Sequence, residues 1–410
     1  MSSLKYWVWL GSASGVSAKT AGLLLRRFGT PENVYYADFD EYSDIDGITS
    51  ADIQTLRYKQ IDVANRILGQ CEENHYRVIT LQDTEYPDRL RNIYDPPIAL
   101  FMRGRRMPII DEEAAIAIVG TRTCTPAGVI AAEKIGYELA RHGLLVVSGL
   151  ARGIDSFAAR GALRGGGTVL GVAGSGLDIV YPAENTQLFE DVAHHGAIIS
   201  EYPPGTRPAG SNFPVRNRIL SGVSVGVAVI EAPSSSGALI TASRALEQGR
   251  DVFAAPGPIM NRSFEGSNSL LREGAIPLLT GENIASEYIA LFPDKIKLNT
   301  DIVPLDKRIA ERFVKKFESD DAAQQDGNDK KVIDNAPTVE YIDLDKILEN
   351  LTGDEKAVAQ VISNARLHVD EIIVNSGLPA HQVLTALTML ELKGYAVQGD
   401  GKFFVLANPG

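Results

Sequence analysis

AIAIVGTRTCTPAG, residues 115–128, reads as a short apolar strand, a glycine turn and a proline that opens a helix. The apolar run is continuous rather than alternating, the pattern of a strand buried on both faces. Five further runs repeat it: LLVVSG (144–149), TVLGVAG (168–174), AIISEY (197–202), VGVAVIEA (225–232) and DVFAAPG (251–257). Helical stretches lie between them, such as AGVIAAEKIGYELARHG (127–143) and DSFAARGALRGG (155–166). Alternating strands and helices predict an α/β, Rossmann-like domain, a parallel sheet covered by helices, over about 113–291.

Working outward, residues 1–82 carry GVSAKTAGLLLRRFGTPENVY (15–35) and SDIDGITSADIQTLR (43–57). Each is a glycine turn leading into a helix, the first closed after Phe28 by Gly29, which predicts a helical SAM-like or helix-hairpin-helix-like domain. Residues 83–112, rich in proline and aromatics, read as a connector. ESDDAAQQDGNDKKVIDNAPT (318–338) is too polar to bury a core and reads as a flexible linker. Residues 340–410 read as three helices and a hairpin whose turn is Gly399-Asp400-Gly401, a winged helix.

The chain of 410 residues has a formal net charge of −12. That excess of acid opposes nucleic-acid binding unless cations are local and anions lie elsewhere; several of the anions fall in 318–338. No apolar run reaches the ~18 residues of a membrane span, and the start has neither a basic n-region nor a small-residue cleavage site, so a cytoplasmic protein without membrane contact is expected. Cys71 and Cys124 lack metal-type spacing. No disulfide framework, metal or cofactor is expected.

Ligands of open parallel sheets sit outside the carboxyl ends of the strands. Here glycine-rich turns follow one strand after another: Gly120-Thr121-Arg122, then Ser148-Gly149 with Arg152 and Gly153, then Gly174. NFPVRNRILSG adds Arg216, Asn217 and Arg218, and APSSSGALITAS adds Gly237 and Thr241. Glycine lets backbone amides approach an anion, helix N-termini add positive potential, and arginine offers a planar fork for phosphate oxygens. Lys134 is the single lysine in 113–290. The rim therefore reads as phosphate-binding, with Phe213 as a possible stacking face. Neither a P-loop nor a dinucleotide fingerprint follows the first strand, which argues against a nucleotide hydrolase or a dehydrogenase.

The motifs AIAIVGTRTCTPAG, SGLARGIDSFAARGAL, NFPVRNRILSG, EAPSSSGALITASRALEQGRDVFAAPG and EGSNSLLREGA closely resemble those of the DprA/Smf family, in the same order and spacing. That resemblance implies a non-catalytic single-stranded DNA-binding protein that protects incoming DNA during natural transformation and loads the RecA recombinase onto it. It also implies a homodimer formed through the Rossmann-like domain. After YPAEN, where relatives often carry a basic residue, this chain has Thr186-Gln187 and loses one phosphate contact.

The competing reading is a nucleotide-processing enzyme of the phosphoribohydrolase type, with Glu231 at a strand end as its carboxylate. Against it, the chain lacks the Pro-Gly-Gly-x-Gly-Thr loop of such enzymes, and Glu231 can instead hold the following serine-rich turn. In the winged helix, the third helix AHQVLTALTMLELKG carries one cation, Lys393, which predicts a poor duplex-DNA reader.

Overall fold

The computed structural model describes residues 3–13, 15–104, 110–298, 351, 353–362, 367–399 and 403–406. The stretch 318–338, read above as a linker, lies outside them, as does the turn residue Asp400. The chain divides into two compact units, one from Met1 to Val332 and one from Ile333 to Gly410.

The first unit begins with six helices: α1 (Leu4–Val8), α2 (Ala18–Phe28), α3 (Pro31–Tyr36), α4 (Phe39–Ser43), α5 (Ser50–Leu56) and α6 (Ile61–Glu73). Ser17 caps α2, and Gly29, at φ +81°, ends it. Thr49 and Asp52 form a capping box on α5. Trp9, Leu10, Leu24 and Leu56 are fully buried between these helices.

All six apolar runs form neighbouring parallel strands: β3 (Ala115–Val119), β4 (Leu145–Ser148), β5 (Val169–Ala173), β6 (Ala197–Ser200), β7 (Gly226–Val229) and β8 (Asp251–Ala254). The sheet has nine strands, in the order β1-β2-β6-β5-β4-β3-β7-β8-β9. It reaches beyond 113–291. β1 (Arg77–Thr80) and β2 (Ala99–Gly104) pair antiparallel with each other, and β2 with β6. The stretch 83–112 is thus not a bare connector. ALFM, residues 99–102, is fully buried, and its flanking prolines and tyrosines hid a strand that joins β1, the edge strand, to β6. β9 (Ile276–Pro277) ends the other edge.

Helices flank the sheet: α7 (Asp88–Arg91), α8 (Pro126–Arg141), α9 (Ile154–Arg164), α10 (Thr186–His195), α11 (Asn212–Val223), α12 (Gly237–Glu247), α13 (Glu265–Arg272) and α14 (Gly281–Tyr288). The core runs along the sheet through Val119, Val147, Val172, Ile199 and Val229, closed by Ile219 and Leu220 of α11 and Ala242 of α12. The chain crosses from β3 to β4 on one side and later from α11 to β7 on the other. The order reverses between β3 and β7, the switch point where such sheets open a crevice.

The second unit holds α15 (Asp354–Ile362), α16 (Val369–Ser376), α17 (Ala380–Leu392) and a small sheet, β10 (Leu367–His368), β12 (Phe403–Leu406) and β11 (Ala396–Gly399). Its own core is Val358, Ile362, Ile372, Val383, Leu387, Leu390 and Phe404. No helix among the described residues is long and apolar enough to cross a membrane.

Candidate nucleic-acid interface

At the switch point the loops after β3 and β7 diverge around a cleft of about 550 Å³. Seven of the sequence-derived site residues line it: Gly120, Thr121, Arg122, Arg216, Asn217, Gly237 and Thr241. Gly237 opens α12, and Ser236 caps that helix by accepting the Ala238 amide at 3.2 Å. The cleft therefore meets the positive end of an 11-residue helix dipole.

Arg122 is exposed and lies over the ring of Phe213, its guanidinium carbon 4.8 Å from the ring centroid. Tyr181 covers Phe213 at 5.5 Å between centroids, with the planes 33° apart. Gly174 seats the ring, because a Cβ there would stand 2.9 Å from Phe213 Cδ1. Arg122, Phe213 and Tyr181 thus form a wall of the cleft that is both cationic and aromatic. Sequence reasoning did not find Tyr181, since no turn or spacing pattern marks it.

Of the remaining predicted residues, Ser148, Gly149 and Gly153 shape the loops around the cleft without lining it. Ser148 is fully buried; its hydroxyl donates to the Asp155 carbonyl at 2.9 Å and accepts the Leu150 amide at 3.1 Å. Gly153, at φ +81°, packs against the carbonyls of Thr121 and Arg122 so closely that any side chain would collide. Leu150 holds φ +51°, a conformation costing about 1–3 kcal/mol for a non-glycine residue. Its buried side chain and the Asn185 amide, which donates to the Leu150 carbonyl at 3.0 Å, keep it there. Asn185 closes the YPAEN motif and is a positioning residue the sequence did not flag.

Arg218, read as part of a basic rim, is a correction. Its side chain is 4% exposed and pairs with Asp95 at 3.1 Å and Glu201 at 2.7 Å. Residues two apart on an α-helix such as α11 point to nearly opposite sides, so Arg216 and Arg218 do not both reach the cleft. Arg152 also differs from expectation. It is exposed, but its guanidinium forms a bidentate ion pair with Glu184.

Arg216 lies at the cleft floor and is 3% exposed. It donates to the Gly149 carbonyl at 2.8 Å and to the Val172 carbonyl. Beside it, Asp155 accepts the Gly149 amide at 3.1 Å. A Cβ on Gly149 would stand 2.6 Å from the Asp155 carboxylate and 2.7 Å from the Arg216 guanidinium, so glycine is required at this crossing. Burial raises the Asp155 carboxyl to about 6, against the opposing pull of Arg216 and the amides of Gly149 and Gly120. Burial likewise lowers Arg216 to about 10, against the pull of Asp155.

Glu231 does not line the cleft. It is fully buried, and its carboxylate accepts the Thr125 amide at 3.0 and 3.1 Å and the Thr125 hydroxyl at 3.0 Å. It therefore anchors the loop after β3, not the serine-rich turn that follows it in sequence.

The sequence matches the family of DNA recombination-mediator protein A over residues 77–289 and the DprA winged helix domain over residues 345–402. The DNA processing protein DprA of Bacillus subtilis is 38% identical over 253 residues, covering 58% of this chain and 85% of that protein. The chain belongs to the DprA/Smf family. Protein Smf of Synechocystis sp. is 35% identical over 289 residues, 70% of this chain and 73% of that one. The solved structure of DNA processing protein A from Streptococcus pneumoniae aligns with a TM-score of 0.59 and 35% identity, covering 67% of this chain and 94% of that one. The DprA/Smf likeness thus includes the sheet, the cleft loops and the winged helix.

Within the winged helix, the face of α17 exposes His381, Leu384, Thr385, Thr388 and Met389. The hydroxyls of Thr385 and Thr388 donate to carbonyls of their own helix at 2.8 and 2.9 Å. Lys393 pairs with Glu355 at 2.7 Å. A duplex-reading helix presents free cations and polar groups to the groove; this face is apolar at Leu384 and Met389, and its one cation is neutralised.

Proposed function

We propose that this protein binds single-stranded DNA in the switch-point cleft, without covalent chemistry. The observation that carries the reading is that the wall of Arg122, Phe213 and Tyr181 and the N-terminus of α12 line one cleft. A guanidinium and a helix N-terminus suit phosphates, and two exposed or half-exposed rings suit unstacked bases. The cleft lining holds one carboxylate, Asp155, balanced by two arginines, so the site is locally basic in an acidic chain. The rival enzyme reading loses the carboxylate it named, since Glu231 lies outside the cleft lining and is committed to Thr125. Membership of the family supports the wider role: a cytoplasmic homodimer, joined through the Rossmann-like domain, that protects incoming single strands in transformation and hands them to RecA.

Titration with single- and double-stranded oligonucleotides at two salt concentrations tests this. Single strands bind more tightly at both. Arg122→Ala weakens them regardless of sequence and shallows the logarithmic salt slope by about 0.7, one phosphate's worth. Equal affinity for both forms, or an unchanged slope in a folded Arg122→Ala variant, sinks the reading.

We propose further that the winged helix is a protein-contact or accessory module. Removing every residue after Thr338 leaves single-strand affinity within about twofold and duplex affinity equally unchanged, because its few cations can release few counterions. A tenfold selective loss of duplex binding refutes this.

A further inference from the structure

A tight turn follows β8, closed by the Asn261 amide donating to the Pro258 carbonyl at 3.0 Å. Its two central residues are Ile259, 88% exposed, and Met260, 90% exposed. Turn tips ordinarily carry small or polar residues with local backbone roles. Two large apolar side chains held side by side in water gain free energy only when something covers them.

The turn is braced at its base. Gly257 and Asn268 exchange hydrogen bonds at 3.1 Å each, and Gly257 packs directly beneath the ring of Phe264. Asn261 accepts the Ser263 amide at 3.0 Å. The tip is therefore presented, not merely loose.

Its position names the occupant. β8 pairs with β7, so the turn leaves the same carboxyl edge as the cleft, about one strand spacing (~4.8 Å) beyond the loop after β7. That loop supplies Pro233 and Ser235 to the cleft lining. The loop after β7 is tied to the start of α13, the helix that the turn leads into: the amides of Gly266 and Ser267 donate to the Ala232 carbonyl at 2.8 and 3.2 Å, and Ser234 donates to Glu265 at 3.4 Å. Arg262, two residues past the tip, is exposed. An apolar pair followed by a guanidinium fits a chain that alternates flat apolar bases with phosphates.

We propose that Ile259 and Met260 form an apolar wedge that packs against unpaired bases of the DNA strand as it leaves the cleft. This rests on the single-strand reading above. Phosphate contacts in the cleft hold the strand regardless of sequence, and the wedge adds a base-dependent grip that a duplex, with its bases stacked inside, cannot offer.

The test compares the wild type with an Ile259→Ser/Met260→Ser variant on two oligonucleotides of equal length, one intact and one carrying a run of abasic sites. The variant binds the intact strand about fivefold or more weakly, the lower end of one base contact, and binds the abasic strand as the wild type does. An unchanged thermal midpoint confirms that the turn still folds. Equal affinity of variant and wild type for the intact strand overturns the wedge, as does an equal loss on both strands. A loss of self-association in sedimentation, with DNA binding intact, overturns it in favour of a contact between copies. Failure of the wild type to bind either oligonucleotide instead sinks the single-strand reading itself.

Discussion

Arg216→Ala lowers the thermal midpoint by on the order of 10 °C, a loss of about 3–5 kcal/mol, whether or not DNA is present. The side chain is 3% exposed and spans the ends of two strands, donating to the carbonyls of Gly149 and Val172. Its removal strands both carbonyls and leaves Asp155 buried without its counter-charge. Arg216→Lys recovers little, because a single ammonium cannot reproduce a planar fork aimed at two carbonyls. The pH dependence gives a second readout. Asp155 has a folded pKa of about 6, above the ~3.9 of an unfolded aspartate. Between those values the folded chain keeps a proton that the unfolded chain releases, so this group's contribution falls as pH rises through the window. Without Arg216 the carboxylate is costlier still, and the variant's deficit is largest at pH 7 and narrows towards pH 5. A midpoint within 2 °C of the wild type, measured by calorimetry at pH 7, contradicts the assignment of Arg216 to the scaffold.

That residue also shows where sequence reading stops. Six parallel strands were legible because double burial leaves continuous apolar runs, as in AIAIV and VLGVA. β2 was not, since its four buried residues lie in sequence between prolines and a run of arginines and carry no helix–strand rhythm. At the site, the topology brings residues from several of the loops that follow the strands around one cleft, the place where ligands of such sheets sit. Side-chain direction was not readable. Arg216 and Arg218 sit two residues apart on α11 and look alike in sequence, yet one floors the cleft and the other joins Asp95 and Glu201. Ser148 looked like a phosphate donor but spends its hydroxyl on its own loop. Tyr181 lies beyond the Gly174-Ser175-Gly176 turn of its loop, where no spacing pattern marks it, and joins the wall by packing on Phe213.

Arg152→Ala weakens single-strand binding by about tenfold or more, through a lost charge-assisted contact together with an uncovered Glu184, and Glu184→Gln in the same chain restores only the share due to the uncovered charge. In the unliganded protein the Arg152 fork holds both oxygens of Glu184. A carboxylate presents two acceptor oxygens much as a phosphate does, so under the proposed single-strand reading Glu184 occupies the fork that a DNA phosphate takes over. Glu184 is 15% exposed, and Arg152 is 56% exposed, so the arginine is the mobile partner. Removing Arg152 alone deletes a phosphate contact and also uncovers a negative charge at the rim, and both effects disfavour DNA. Removing both charges deletes the contact but not the balance. Glu184→Gln alone acts in the other direction. It frees the fork from a pair worth about 1 kcal/mol or less at such a surface, tightening binding by about two- to fivefold at low salt. The complex then no longer leaves a bare Glu184 carboxylate that takes up a cation and offsets the release from DNA, and the logarithmic salt slope steepens by about 0.7. The pattern across the three variants separates a latch from a plain surface pair. If Arg152→Ala/Glu184→Gln binds as weakly as Arg152→Ala, or if Glu184→Gln leaves the slope unchanged, the ion pair does not compete with DNA.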